Sequence, residues 1–352
     1  MMQINEIFEN AFHENVSDVF LIAGRPVSFK KNGHIYTLSD TRLMPDDTKK
    51  LILEIYELAN NRDIAALYTD GDDDFAVSIR GLARFRVNTF KQRGSLSAVI
   101  RVINSTIPDP EKLHIPPYLM KLTEQQKGMI LITGPAGSGK STTLACMIDH
   151  INKTQNKHII TLEDPLEFLH RHDKSIVSQR EVRIDTLNYV SALRAALRQS
   201  PDVILLGEMR DLETMEVAAT AAETGHLLLS TLHTIGAANT IDRIIDVFPA
   251  NQQRQIAVQL SMTLNAVISQ QLVPTVDGGI APAFEIMTVN TAIRNLIRES
   301  KTHQIDGMIY SSAKEDLMSM DSSLLNLYHA GRISKDTALT YSTNPDMMVR
   351  KL

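Results

Sequence analysis

The run GPAGSGKST, Gly134 to Thr142, restricts the fold of this chain more than any other stretch. It fits the pattern G-x-x-x-x-G-K-[ST], follows the apolar segment GMILIT and opens the helix-like segment STTLACMIDHI. In that strand, loop and helix setting, glycines let backbone N–H groups wrap a phosphate, and the helix N-terminus adds its dipole and unpaired donors. Gly134, Ala136, Gly137, Ser138 and Gly139 are the expected cradle. Lys140 should reach the β- and γ-phosphates, Ser141 should ligate Mg²⁺, and Thr142 continues the helix. The ligand this implies is a nucleoside triphosphate. The loop is silent on what hydrolysis drives.

Around the loop, short continuous apolar runs alternate with helical stretches: GMILITG, HIITLED, VILLGEM and HLLLSTLH. Such runs imply an α/β fold around a parallel sheet covered on both faces. From about residue 237 the helical pattern dominates to the end. Upstream, DVFLIAGRPVSFKKNGHIYTL reads as strands broken at Gly24 and at a turn around Asn32 and Gly33. The apolar spacing of Leu51, Ile52, Ile55 and Leu58 predicts a helix, and the segment from Asp74 to Ile103 a strand meander. Four prolines between Ile107 and Pro117 mark a linker. The expected organisation is an α+β unit over residues 1–107, a linker over 108–120 and the ATPase-type domain over 121–352.

Ligands of open parallel sheets bind beyond the carboxyl ends of the strands, and this rule sorts the acids. HIITLED ends in Glu163 and Asp164, at the ligand edge. DVILLGE begins with Asp202 and ends with Glu208, so Glu208 is the active-site acid and Asp202 lies at the wrong end. One of Glu163 and Glu208 can hold Mg²⁺ while the other orients or deprotonates the attacking water. The pattern does not divide the roles, although Glu163 is favoured as the water activator. SALRAALRQSPD places Arg194 and Arg198 four apart on one helix face, and Arg294 and Arg298 repeat that spacing in AIRNLIRES. The latter reads as an amphipathic helix with a solvated basic face.

TGHLLLSTLHT carries His226 and His233, seven residues apart. An odd separation on an unbroken strand points side chains to opposite faces, which removes a shared zinc site. His233 closes the run at the ligand edge and is expected to sense the γ-phosphate. His226 opens it, ~20 Å away on an extended strand, and should bond locally or at an interface.

Bulk properties narrow the remaining classes. The single cysteine, Cys146, excludes an intramolecular disulfide and a cysteine-cluster zinc site. No apolar run is long enough for a membrane span, and MMQINEIFEN lacks the pattern of a signal peptide, so a cytoplasmic location is expected. The net charge of −5 gives no global attraction to nucleic acid. Asp70, Asp72, Asp73 and Asp74 read as a solvated turn rather than a cation site.

The order GPAGSGKST, IITLEDPLEF, LRQSPDVILLGEMRD, TGHLLLSTLHT, AIRNLIRES resembles the PilT family, type IV pilus retraction motors within the secretion ATPase superfamily. The likeness runs from about residue 15 to 325. SDVFLIAGRP is similar to the family's opening strand, with Phe20 where a histidine is usual and Val27 where a second proline is usual. The resemblance implies a PAS-like α+β domain followed by a RecA-like P-loop ATPase domain, assembled as a homohexamer that uses ATP and Mg²⁺. It implies an Asp box at Glu163 and Asp164, a Walker B acid at Glu208 and a His box at His226 and His233. It assigns Arg86 and Arg101 of the N-terminal domain, and Arg194 and Arg198, to the nucleotide. AIRNLIRE resembles the stretch tied to retraction. One cysteine cannot supply the four-cysteine zinc insertion of the extension-type relatives. The implied setting is the cytoplasmic face of the inner membrane at the pilus base, against a platform protein, with no direct nucleic-acid partner. Alternatives are a motor for DNA uptake, DNA transfer or protein secretion, a RecA-like DNA helicase, and a nucleotide switch that hydrolyses poorly.

Overall fold

Alternating burial builds one sheet of this protein and continuous burial builds the other. The computed structural model describes residues 2–352 apart from Asn32, Asn104, Ser105 and Ala313. The chain divides into two units, Met1–Thr106 with Glu167–Leu169, and Ile107–Leu166 with His170–Leu352. The expected turn at Asn32 and Gly33 thus lies partly outside the described residues.

The first unit has strands β1 (Asp18–Leu21), β2 (Pro26–Lys31), β3 (His34–Arg42), β4 (Asp72–Ser78), β5 (Arg84–Gln92) and β6 (Ser95–Ile103). They form one antiparallel sheet in the order β3-β2-β1-β6-β5-β4. Strands β4 and β5 alternate buried with exposed residues, so one face packs and the other stays polar. The packed face takes helices α1 (Ile4–His13) and α2 (Pro45–Leu58), followed in the chain by the short α3 (Ala65–Thr69). Helix α2 starts with Pro45 and carries Asp46 and Asp47 in its first turn, which suits the positive end of a helix dipole. Phe8 of α1 stacks on Phe85 of β5 at 4.2 Å. Burying each such large apolar side chain contributes about 1.5–3 kcal/mol.

The aspartate run is not a solvated turn. Asp72, Asp73 and Asp74 belong to β4, and Asp73 is buried. Arg62 donates to it through Nε and Nη2, both at 2.9 Å, and the Tyr56 hydroxyl donates at 2.9 Å. A run of like charges hides this because the partners lie on α2 and in the loop after it, not beside the run.

The second unit holds strands β7 (Gly128–Thr133), β8 (His158–Glu163), β9 (Ile176–Glu181), β10 (Val203–Leu206), β11 (Leu227–Leu232), β12 (Leu264–Pro274), β13 (Ile280–Thr288) and β14 (Leu317–Met318). Their order is β14-β13-β12-β7-β11-β10-β8-β9. Pairing is parallel from β12 through β9 and antiparallel at β13 and β14. Every residue of β7, β10 and β11 is buried, as a sheet covered on both faces requires. The helices are α4 (Pro117–Leu122), α5 (Lys140–Thr154), α6 (Tyr189–Ala196), α7 (Leu212–Glu223), α8 (Ala237–Val247), α9 (Ala250–Thr263), α10 (Thr291–Arg298), α11 (Ile305–Ser311), α12 (Met320–His329), α13 (Lys335–Tyr341) and α14 (Pro345–Lys351). Together the two units give the mixed α/β architecture expected from the sequence.

Three local expectations change. The chain after residue 237 is not helical throughout, because β12 and β13 form a long antiparallel hairpin inside it. Strand β12 is buried on both faces, so LNAVISQQLVP lacks the alternation that identifies a strand. Strand β9 is a further edge strand that the pattern did not single out. The proline-rich segment is packed and turned rather than extended: residues 110–114 form a turn in which the Ile115 N–H donates to the Pro110 carbonyl at 2.9 Å, Ile115 is buried, and the Pro108 carbonyl accepts from Cys146 Sγ at 3.3 Å.

Candidate active site

The glycine loop occupies the carboxyl end of β7 and runs directly into α5. Gly134 has φ +139° and Gly139, the helix N-cap, has φ +85°, backbone states that favour glycine. Ala136 and Gly137 are exposed at the loop tip, while Ser141 and Thr142 occupy the first turn of α5. Lys140 is buried and donates from Nζ to the Gly134 and Pro135 carbonyls, both at 2.9 Å. Ser138 Oγ is buried without a hydrogen-bond partner among the described residues. A buried, unsatisfied hydroxyl is costly, and a phosphate oxygen in the cradle would relieve it.

Glu163 closes β8 and Glu208 follows β10 by two residues, both at the loop's edge of the sheet. Gly207 makes this approach possible. A Cβ there would stand 2.8 Å from the Tyr189 hydroxyl and 3.4 Å from Glu163 Cα. The Gly207 N–H donates to the Leu162 carbonyl at 2.8 Å, which ties the two strand ends together. Glu208 is 8% exposed, and its Oε1 pairs with Arg210 Nε at 2.6 Å. His233 Nε2 stands 3.5 Å from Glu208 Oε2. The Tyr189 phenol is pushed up by burial, and further by the charges of Glu208, Asp164 and Glu163. Asp202 stands at the opposite end of the sheet, accepting from the His158 N–H at 2.8 Å.

The two histidines flank β11 rather than lie within it. The His226 ring bonds locally, with Nδ1 3.0 Å from the Ala221 carbonyl and 3.3 Å from Thr224 Oγ1. His233 joins Glu208, Arg210, Thr234 and Arg243 around a cleft of about 260 Å³.

The arginines are dispersed. Arg194 pairs with Glu213 at 2.9 Å. Arg198 does not share a helix face with it, because α6 ends at Ala196 and Arg198 stands in the following turn. Pro201 disfavours helical backbone at Ser200, which has φ +52°, and the helix stops short. Neither arginine bonds to the loop or to the two glutamates among the described residues. Arg86 and Arg101 belong to the first unit, where they are direct cross-strand neighbours. Like charges in that register repel. Asp74 balances Arg86 at 2.5 Å, and Asp18 balances Arg101 at 3.2 Å.

Two features escaped the sequence reading. Arg210 had a signal, since it stands two residues after Glu208 in GEMRD. A cleft of about 230 Å³ beside Gly139 and Thr142 had none: Lys112, His114, Leu272, Ile280 and Arg332 reach it from separate segments.

Residues 1–337 match the family of Type II/IV secretion system proteins. The Type IV pilus retractation ATPase PilT of Pseudomonas aeruginosa is 42% identical over 98% of this chain and 99% of its own length. The Twitching motility protein of Neisseria gonorrhoeae is 49% identical over 78% of this chain and 74% of its own. A crystal structure of the pilus retraction motor PilT with bound ADP superposes with a TM-score of 0.92 at 46% identity, covering 99% of this chain and 100% of that one. With such coverage along nearly its whole length, this chain belongs to the Type II/IV secretion system protein family, among its PilT-type members.

Proposed function

We propose that this protein is an ATP-hydrolysing motor that drives type IV pilus retraction. The observation that carries the reading is one sheet edge holding the glycine loop, Glu163 and Glu208, in a chain similar over nearly its whole length to PilT. Loop N–H groups and Lys140 bind the β- and γ-phosphates, which replace the Gly134 and Pro135 carbonyls as acceptors for the ammonium. Ser141 and Glu208 offer oxygen donors, the set that suits Mg²⁺. When bound, that ion neutralises charge on the phosphate oxygens. Glu163 orients and deprotonates the attacking water, and His233 donates to the γ-phosphate. The apolar cleft beside Gly139 takes the base and ribose.

In this reading the chain acts as a homohexamer at the cytoplasmic face of the inner membrane, against a platform protein. In the ring, Arg86 and Arg101 act on the nucleotide. Among the described residues no helix is long and apolar enough to cross a membrane, so a peripheral attachment suits it. The test is steady-state ATPase of purified protein with Glu163→Gln and Glu208→Gln. Each should lower turnover by about 10²-fold or more. Wild-type turnover in Glu163→Gln removes its assigned role, and wild-type turnover in Glu208→Gln supports a poorly hydrolysing switch instead.

A further inference from the structure

One buried residue, Gln270, touches both ends of the glycine loop and the first turn of α5. It lies on β12, whose Ser269 is in register with Thr133, so Gln270 stands level with the start of the loop. Its backbone carbonyl would be 2.2 Å from a Cβ at Gly134. Its Nε2 would be 2.9 Å from a Cβ at Gly139. Its Oε1 accepts from Thr143 Oγ1 at 2.8 Å, and Thr143 is fully buried.

We propose that Gln270 is a positioning residue for the phosphate-binding loop. This inference rests on the nucleotide reading above and adds a determinant that the loop motif does not contain. The two glycines bracket the cradle, and both lack side chains where Gln270 approaches. The backbone carbonyl fills the space left at Gly134 and the side-chain amide the space left at Gly139, so the residue sets how far the loop can collapse at both ends. The bond to Thr143 fixes the amide's rotamer, because a carboxamide held at one oxygen cannot turn without leaving a buried hydroxyl unpaired. Among the described residues that bond is the amide's only hydrogen bond, so the Nε2 donor remains unspent against Gly139. Gln270 also lines the cleft assigned to the base. The same side chain thus borders the base cleft and the phosphate loop, and strand β12 carries both. Loop geometry is accordingly set by a strand more than a hundred residues downstream in the chain.

The inference separates affinity from fold. Full-length protein is titrated with a fluorescent ADP derivative, and thermal melts are recorded without nucleotide. Thr143→Val and Gln270→Leu each remove the bond while keeping similar volume, and Thr143→Ser keeps the hydroxyl. The single variants should weaken binding by roughly 3- to 10-fold, the scale of one buried hydrogen bond. The double variant should lose no more than the weaker-binding single variant, because the two changes delete one interaction. Thr143→Ser should bind like wild type. Unchanged affinity in the folded single variants, or losses that multiply in the double variant, would overturn the role. Failure of the wild-type protein itself to bind the probe would instead overturn the nucleotide reading beneath it.

Discussion

Arg210 Nε meets Glu208 Oε1 at 2.6 Å, while His233 Nε2 stands 3.5 Å from the other carboxylate oxygen. Glu208 is largely withdrawn from water, so these neighbours rather than solvent orient its charge. Arg210→Ala should lower ATP turnover by about tenfold or more, the scale of one charge-assisted hydrogen bond of about 1.5–3 kcal/mol. Arg210→Lys should retain part of the rate, since it keeps the charge and loses the fork. Steady-state kinetics decide this, and wild-type turnover in the alanine variant would make the pair incidental.

The loop's glycines should not be equivalent. A Cβ at Gly134 would meet the Gln270 carbonyl at 2.2 Å, whereas one at Gly137 would have nothing within 4 Å. Gly137→Ala should cost only its left-handed backbone, about 1–2 kcal/mol. Gly134→Ala should melt lower than Gly137→Ala and lose nucleotide binding. Thermal melts with a nucleotide titration check the order, and equal effects would contradict the close approach.

The expected shape of the glycine loop and its edge of the sheet was legible because both depend on local pattern: a motif, a preceding strand and a following helix. Glu208 and Asp202 could be told apart for the same reason, since strand polarity is written in the chain. What could not be read depends on distant partners. Asp73 is buried by Arg62 and Tyr56, and a count of neighbouring aspartates gives no hint of it. Strand β12 is buried on both faces, so its apolar run carries no period that separates strand from helix. Gln270 was hidden with it. The four-residue spacing of Arg194 and Arg198 implies a shared helix face only if α6 runs past Ala196, and Pro201 ends it early.

Acid should destabilise the fold through His170. Burial pushes its imidazole down to about 4, although Asp149 pulls the other way, and Nδ1 lacks a hydrogen-bond partner among the described residues. The folded state therefore holds a neutral ring, and the unfolded chain binds the extra proton once pH falls below about 6.5. Stability is lost as pH falls from about 6.5 towards 4, reaching on the order of 2 kcal/mol at pH 5. Denaturant melts at pH 7 and pH 5 should show a smaller difference for His170→Leu than for wild type. An identical difference would place the acid sensitivity elsewhere.

Helix α10 separates folding from work. Ile293 and Ile297 are fully buried, while Arg298 is exposed and donates to Asn295 Oδ1 at 2.6 Å. Arg294 stands one turn earlier on the same face, and its side chain has no hydrogen bond or ion pair among the described residues. Arg294→Ala should keep ATPase activity in vitro and abolish pilus retraction in cells. Loss of both together would return the helix to a structural role.

The central claim is that ATP hydrolysis here withdraws pili. The most direct measurement counts surface pili and scores twitching motility in a strain lacking this gene, complemented with wild type or Glu208→Gln. The account predicts excess pili without movement in the deletion and in the Glu208→Gln strain, with both restored by wild type. Bald cells in the deletion strain would contradict it, because a motor whose loss removes pili builds them.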